Sequence, residues 1–435
     1  MSAPDRASIE ATSPESGITK RHGFVRAIGL GLITGAADDD PSAIGTYASA
    51  GAKIGSSFLW TAPITFPMMV AVVYLSSKLG LVSGEALFAL LRRHYSRWFL
   101  FTVLTGVLIG NTFEAGADMG GMAAALNIVF PLPIGLLVIT VGLLIFAVQI
   151  WGSYGLIRNV FRILSLALLA YIGSAVLARP ELGSILRGTF IPSIRLNKNF
   201  LEMVVAVIGT TLSAYLYTWQ SNEEVEEKIA AGRRRLVERK GATHSELKQS
   251  MWDIVFGMFF SNIVMYFVML STAATLFKNG KTDINSAAEA AQALRPLAGN
   301  SAGVLFVLGI IGVGFLAVPV MTTGAAYDLC QSMGWKHGLY RAPATAKKFY
   351  ASIAAFTLLG IGLNFFGVNP MKALVLAGIV QGFSTPPLML LIMRMTNNRA
   401  IVGDRVNGRA LNILGWTTTV TIFAATAGLI ISWFV

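Results

Sequence analysis

Three consecutive aspartates, Asp38, Asp39 and Asp40, lie inside an otherwise apolar stretch and are followed by Pro41. A charged side chain within a bilayer costs about 3 kcal/mol on insertion scales. Because Pro41 cannot donate a backbone hydrogen bond and disfavours helix at the residue before it, the Ala37 carbonyl is free to bind a cation together with the Asp40 carboxylate. We therefore predict that Asp40 is a cation ligand, whereas Asp38 and Asp39 could equally lie in water at the end of a shortened helix.

A second polar group lies in a later apolar stretch, where Asn111, Glu114 and Asp118 recur at positions i, i+3 and i+7. This spacing places the three side chains on one face of a helix. They could line an aqueous path, with Glu114 the strongest candidate, or they could simply bond to neighbouring backbone. No Lys or Arg lies opposite these acids in the middle of an apolar stretch, so a bound cation or a proton must balance their charge.

The available donor atoms favour a hard cation. The four histidines, His22, His94, His244 and His337, all fall in predicted tails or loops, which argues against an imidazole metal site or an intramembrane histidine proton relay. No Cys or Met lies in either of the two interrupted spans at its break, around Asp40-Pro41 or at Gly209–Tyr215, so the ligands are carboxylate, carbonyl, hydroxyl and water oxygens. Such donors suit Mg²⁺, Ca²⁺ or Mn²⁺.

The composition requires a membrane environment for these groups. Mean hydropathy is +0.64 and only 13% of residues are charged, compared with about a quarter in soluble domains. Crossing the hydrocarbon core takes roughly 20 apolar residues. We place eleven such spans, centred near residues 40, 69, 112, 142, 167, 211, 262, 315, 356, 382 and 423. Their length and continuous apolar character predict helices and not a barrel.

The net charge of +12 does not indicate a nucleic-acid partner. Most of the 34 Lys and Arg residues fall in segments on the side of the N-terminus, as the positive-inside rule requires. We therefore predict a multi-pass protein of the inner (plasma) membrane, with a cytoplasmic N-terminus and an external C-terminus.

Two spans are interrupted, the first at Asp40-Pro41 and the sixth at Gly209–Tyr215. Breaks in the first members of two groups of five spans are typical of LeuT-type transporters, whose inverted repeats place the site where unwound helices 1 and 6 meet at the midplane. The predicted fold class is thus an all-α integral membrane protein with a LeuT-like 5+5 repeat. Its predicted parts are a disordered cytoplasmic tail (1–26), a first repeat with spans 1 to 5 (27–200), a second repeat with spans 6 to 10 (201–396), which includes a solvated, partly helical cytoplasmic loop (222–249), and a span 11 region (397–435).

Several short motifs occur in an order that resembles the natural resistance-associated macrophage protein (NRAMP) family of divalent metal transporters. They are Asp40-Pro41-Ser42-Ala43, where the family has Asp-Pro-Gly-Asn, then Leu79–Leu87, Asp118–Leu126, Thr385–Leu388 and Asn398–Gly403. The family's Asp and Asn of span 1 bind metal with the methionine of a Met-Pro-His motif in span 6, and its histidine is tied to proton movement. Here the asparagine position is Ala43 and the motif is Ser213-Ala214-Tyr215, which is similar to the NRAMP-related magnesium transporters.

This resemblance implies a metal site formed by Asp40, the carbonyls of Ala37 and Thr210, and Ser213 at the methionine position. Residues of the pathway or around the site are then Asn111, Glu114, Asp118, Tyr215, Ser42 and Ala43.

The expected function is uptake of Mg²⁺, and also Mn²⁺, by alternating access without strong proton coupling. The alternatives are a proton-coupled Mn²⁺/Fe²⁺ transporter of the NRAMP type and an amino acid or amine transporter of the LeuT fold. No Ser/His/Asp set, HExxH motif or phosphate loop indicates an enzyme. We expect no cofactor, and a monomer whose partners are the metal ion and the lipid bilayer.

Overall fold

The computed structural model describes residues 30–151 and 168–434, and within these ranges the secondary structure is helical, without strands. The predicted tail 1–26 and most of the predicted fifth span lie outside the described residues. The helices of eight or more residues are α1 (Leu30–Asp38), α2 (Pro41–Ile54), α3 (Thr61–Ser83), α4 (Leu87–His94), α5 (Arg97–Val129), α6 (Ile134–Trp151), α7 (Ala170–Leu177), α8 (Leu182–Phe190), α9 (Lys198–Thr211), α10 (Ala214–Ala230), α11 (His244–Thr275), α12 (Ala302–Met333), α13 (Lys347–Leu363), α14 (Pro370–Thr396) and α15 (Arg409–Ile431). Shorter helices lie at Leu236–Arg239, Ala287–Ala291, Arg295–Ala298 and Arg399–Val402.

Many of these helices can cross a membrane. Seven described helical segments have the length and apolar composition for it: Thr61–Ser83, Arg97–Val129, Lys198–Ala230, His244–Asn279, Ala287–Met333, Pro370–Thr396 and Arg409–Ile431. A shorter apolar helix covers Ile134–Ile150, and the broken pair α1 and α2 corresponds to predicted span 1. The chain is therefore a multi-pass membrane protein, and the predicted all-α architecture is confirmed.

Both predicted helix breaks are present. The first separates α1 from α2 at Asp39 and Asp40, where Asp40 has an extended backbone and caps α2, and Pro41 occupies the first helical turn. Proline suits that position because its missing N–H would have no partner there in any helix. The second break, at Leu212 and Ser213, separates α9 from α10.

Glycines allow the broken helices to approach their neighbours closely. A Cβ atom at Gly35 of α1 would overlap the backbone of Gly257 on α11, and one at Gly209 of α9 would overlap the carbonyl oxygen of Gly378 on α14. Such contacts between small residues are a common basis of helix packing in membranes. Since α5 packs against α2, α12, α13 and α14, the two breaks and the polar face of α5 come together in the interior.

The first part of the predicted loop 222–249 differs from the expected solvated segment. Helix α10 continues to Ala230, and within it Asn222, Glu224 and Lys228 are buried. The Lys228 ammonium group donates hydrogen bonds to the carbonyl oxygens of Leu81, Arg239 and Gly241. Charged residues are rarely buried without partners. Composition alone predicted a solvated helix here because it does not reveal such partners.

Candidate cation site between the two helix breaks

Asp40 lies at the first break with both carboxylate oxygens bonded. Its Oδ1 accepts a hydrogen bond from the Ala43 backbone N–H at 2.6 Å, and its Oδ2 lies 2.9 Å from the Tyr215 hydroxyl oxygen. The same Tyr215 oxygen lies 2.7 Å from the carbonyl oxygen of Ala37. One hydroxyl has one proton to donate, so it can satisfy only one of these two acceptors at a time. The predicted pair Asp40 and Ala37 is thus brought together by a residue of the second break.

The second break contributes Ser213 and Thr210. The Ser213 hydroxyl lies 2.9 Å from the Thr210 carbonyl oxygen and 3.1 Å from Glu114 Oε1. The Thr210 hydroxyl is buried and has no hydrogen-bond partner. Ser213 therefore connects the second break to the acidic face of α5. The unpartnered Thr210 hydroxyl oxygen is available as a cation ligand in the interior.

Asp118 of α5 holds the first turn of α2. Its Oδ1 accepts a hydrogen bond from the Ser42 backbone N–H at 2.8 Å and a second, short one from the Ser42 hydroxyl. Its Oδ2 is buried without a partner. Ser42 is thus bonded to Asp118 of α5 through both its backbone N–H and its hydroxyl, and Ala43 is bonded to Asp40 through its backbone N–H.

Gln381 of α14 is a member of this network that the sequence reasoning missed. Its Nε2 donates to Glu114 Oε2 at 2.7 Å and to Asn111 Oδ1 at 3.1 Å. Asn111 therefore contacts Glu114 through Gln381 and lies at the edge of the network. The sequence signal that could have identified it is a glutamine within an apolar span, between Gly378 and Gly382.

Asp38 and Asp39 are fully buried, so the alternative in which they lie in water is wrong for this structure. The Ser261 hydroxyl on α11 lies within hydrogen-bond distance of Asp38 Oδ2 and of Asp39 Oδ1, and its one proton can bond to only one of them at a time. The other oxygen of each carboxylate, Asp38 Oδ1 and Asp39 Oδ2, is buried without a partner. Ser261 is the second residue that the sequence reasoning missed.

The charge of this interior is strongly unbalanced. Its carboxylates belong to Asp38, Asp39, Asp40, Glu114 and Asp118, and all are buried. Among the described residues the ion pairs join other groups: Lys53 with Asp283, Arg93 with Glu85, and Arg233 with Glu246. Because an isolated buried charge is costly, bound cations or protons must neutralise these acids.

The carboxylates are spread out and do not converge on one point. Within residues 30–151 and 168–434, no three carboxylate, imidazole or thiolate side chains have the spacing to hold one metal ion. A cation at Asp40 would therefore complete its shell with carbonyl, hydroxyl and water oxygens. This suits a hard divalent cation that keeps several of its waters, as Mg²⁺ does.

The sequence of the chain is similar to those of curated transporters. It is 24% identical over 414 residues to "Divalent metal cation transporter MntH" of Klebsiella pneumoniae (strain 342), covering 94% of this chain and 92% of the relative. It is 24% identical over 427 residues to the protein of the same name from Deinococcus radiodurans, covering 96% and 92%.

Solved structures share the fold. The Eremococcus coleocola manganese transporter, in complex with an aromatic bis-isothiourea substituted compound, matches with a TM-score of 0.72 at 17% identity over 96% of this chain and 88% of that chain. Mhp1, a nucleobase-cation-symport-1 family transporter in a closed conformation, matches with a TM-score of 0.56 at 14% identity over 92% and 90%. The predicted LeuT-like fold is confirmed. The model of the natural resistance-associated macrophage protein-like family matches residues 31–432, and this chain therefore belongs to that family.

Proposed function

We propose that this chain is a divalent metal cation transporter of the NRAMP type that takes up Mg²⁺, and also Mn²⁺, by alternating access around Asp40 without strong proton coupling. Its relatives are named divalent metal cation transporters and its structural neighbour a manganese transporter. These names describe transport, and we propose no enzymatic activity. By the positive-inside distribution we place the protein in the inner membrane with its N-terminus in the cytoplasm.

The observation that carries the choice of cation is the chemistry of Ser213, Ala214 and Tyr215. At the second break the structure presents a serine hydroxyl and a tyrosine hydroxyl to the acidic network and no sulfur or imidazole. A soft sulfur ligand favours later transition metals, whereas oxygen donors suit Mg²⁺ and Mn²⁺. Fully buried small residues lie at both breaks, Ser42 and Ala43 at the first and Ser213 and Ala214 at the second, so modest side-chain movement can admit an ion with part of its water shell.

The same residues bear on proton coupling. Tyr215 bonds to Asp40, and a tyrosine hydroxyl does not take up and release protons near neutral pH as an imidazole does. The membrane potential supplies about 2.3 kcal/mol per charge per 100 mV. A divalent cation can therefore be driven inward without a proton gradient.

Substitution of Ser213 tests the selectivity. Mg²⁺ and Mn²⁺ binding to the purified wild type and to Ser213→Met would be compared by isothermal titration, with Ser213→Ala as the control that removes the hydroxyl without adding sulfur. We expect Ser213→Met to shift the preference toward Mn²⁺ by on the order of tenfold, about 1.4 kcal/mol, and Ser213→Ala to leave the preference unshifted. An unchanged preference in Ser213→Met would refute the argument from ligand softness.

Proteoliposomes test the coupling. Purified protein would be reconstituted with a Mg²⁺ indicator or a pH indicator inside, and uptake would be driven by a potassium diffusion potential. We expect Mg²⁺ entry without internal acidification. Acidification that follows metal entry in a fixed ratio would instead favour the proton-coupled Mn²⁺/Fe²⁺ alternative.

The amine transporter alternative makes a different prediction for Asp40. Asp40→Asn should abolish Mg²⁺ uptake and remove the Mg²⁺-binding step at the central site if the carboxylate is the metal ligand. If Asp40→Asn lost binding of an organic amine while keeping wild-type Mg²⁺ binding and uptake, the metal proposal would be wrong.

A further inference from the structure

A second buried carboxylate site lies away from Asp40, where helices α10 and α12 pack against each other. Asp328 of α12 is 1% exposed, and neither of its carboxylate oxygens makes a hydrogen bond. Thr218 and Asn222 of α10 are the nearest donors, but neither reaches normal hydrogen-bond geometry with it. A buried carboxylate with two free oxygens is costly unless a cation or a proton neutralises it.

Further unpartnered groups surround Asp328. Gln331 follows it by three residues and so lies on the same face of α12. The Gln331 Nε2 donates to Asn222 Oδ1 at 2.6 Å, while its own carbonyl oxygen Oε1 is buried without a partner. The Asn222 amide nitrogen is also unpartnered. The free carboxylate and carbonyl oxygens are the ligand types that hard divalent cations take.

The position of this group relative to Asp40 follows from α10. Tyr215, Thr218 and Asn222 recur at i, i+3 and i+7 and therefore share one face of that helix. Tyr215 bonds to Asp40, and the Thr218 hydroxyl donates to the Tyr215 carbonyl oxygen at 3.2 Å. At 1.5 Å per residue, Asn222 lies about 10 Å along α10 from Tyr215. One polar face thus joins the central site to Asp328.

The face continues toward the end of α12. Glu226, four residues beyond Asn222, accepts a hydrogen bond from the Tyr327 hydroxyl at 2.6 Å, and that hydroxyl in turn accepts one from the Leu339 backbone N–H. Leu339 lies in the connection after α12, on the side that the positive-inside distribution predicts to be cytoplasmic.

We propose that the Asp328 carboxylate and the Gln331 carbonyl oxygen, with Gln331 held by Asn222, form a second divalent-cation site on the cytoplasmic side of Asp40, which receives the ion as it leaves the central site. This proposal rests on the proposed transport function. A cation that moves through low-dielectric protein needs intermediate sites that bind it well enough to accept it and weakly enough to release it. One carboxylate, one amide carbonyl and retained water meet that requirement.

Equilibrium binding of MnCl₂ and MgCl₂ to the full-length protein in nanodiscs tests the proposal. We expect two equivalents to bind to wild type, one to Asp40→Asn, one to Asp328→Asn and none to the double variant. Asp404→Asn, which changes an exposed carboxylate, is the matched control and should bind as wild type does. If Asp328→Asn kept the wild-type stoichiometry, the second site would be refuted while the transport function stood. If wild type bound neither ion, the proposed function itself would be refuted.

A transport measurement separates a binding role from a folding role. Gln331→Met keeps the side-chain length but removes the free carbonyl oxygen, and we expect it to weaken the second binding step severalfold and to slow Mg²⁺ uptake into proteoliposomes. Asp328→Asn should slow uptake by about tenfold and should unfold at a temperature at or above that of the metal-free wild type, because it removes an unpaired buried charge. Wild-type uptake rates in both variants would refute the site.

Discussion

The Tyr215 hydroxyl oxygen lies 2.9 Å from the Asp40 carboxylate and 2.7 Å from the Ala37 carbonyl oxygen, and its removal is therefore a sharp test of the site. Tyr215→Phe keeps the ring, which is fully buried, and deletes only this oxygen. A hydrogen bond to a charged group contributes about 1.5–3 kcal/mol, and loss of a residue that orients metal ligands typically lowers affinity by about 10–100-fold. Since 1.4 kcal/mol corresponds to tenfold, the two estimates agree.

We therefore expect Tyr215→Phe to weaken Mg²⁺ binding by about 10–100-fold in isothermal titration. The control is Tyr171→Phe, because the Tyr171 hydroxyl is also buried but has no hydrogen-bond partner, and that variant should bind Mg²⁺ as wild type does. If Tyr215→Phe bound Mg²⁺ equally well or more tightly, the hydroxyl would compete with the ion for the Asp40 oxygen, and the view that it positions the ligands would be wrong.

Two further substitutions test the packing and the network around the site. Gly209→Ala should destabilise the protein by about 1–3 kcal/mol, because the new methyl group would overlap the Gly378 backbone. The control Gly106→Ala places its methyl group in open space and should be neutral or stabilising. Melting temperatures of the purified variants test this, and equal losses of stability would contradict it. Gln381→Leu should slow Mg²⁺ uptake and cost about 1–3 kcal/mol of stability, because Glu114 would lose its 2.7 Å hydrogen bond; unchanged initial uptake and melting temperature would show that this bond has no role.

The parts of the site that could be predicted from the sequence are those with a local cause. Pro41 disfavours helix at Asp40 and suits the first turn of a new helix, and together with the three adjacent aspartates it predicted the first break and the start of α2. The helical period places Asn111, Glu114 and Asp118 on one face, and the structure turns that face toward both breaks.

The parts that could not be predicted depend on contacts between residues far apart in the chain. Ser261 bonds to Asp38 across 223 positions, and Gln381 bonds to Glu114 across 267. A single serine or glutamine within an apolar helix has no periodic pattern that shows which neighbour it faces. The partners of Lys228 are not visible in the sequence either, since they are backbone carbonyl groups, that of Leu81 on α3 and those of Arg239 and Gly241 in the connection after α10.

Two carboxylates hold the first turn of α2. Asp40, the N-cap residue, accepts a hydrogen bond from the Ala43 backbone N–H, and Asp118 of α5 accepts one from the Ser42 backbone N–H. The oxygens that hold this turn belong to the groups that would bind the cargo. A cation that draws either carboxylate toward itself would weaken these hydrogen bonds. The protein with bound cation and the protein without it would then differ in how strongly α2 is held. On the proposed function, binding of the ion would free α2 to move as a rigid half-helix, and such a movement could change the side of the membrane to which the site opens.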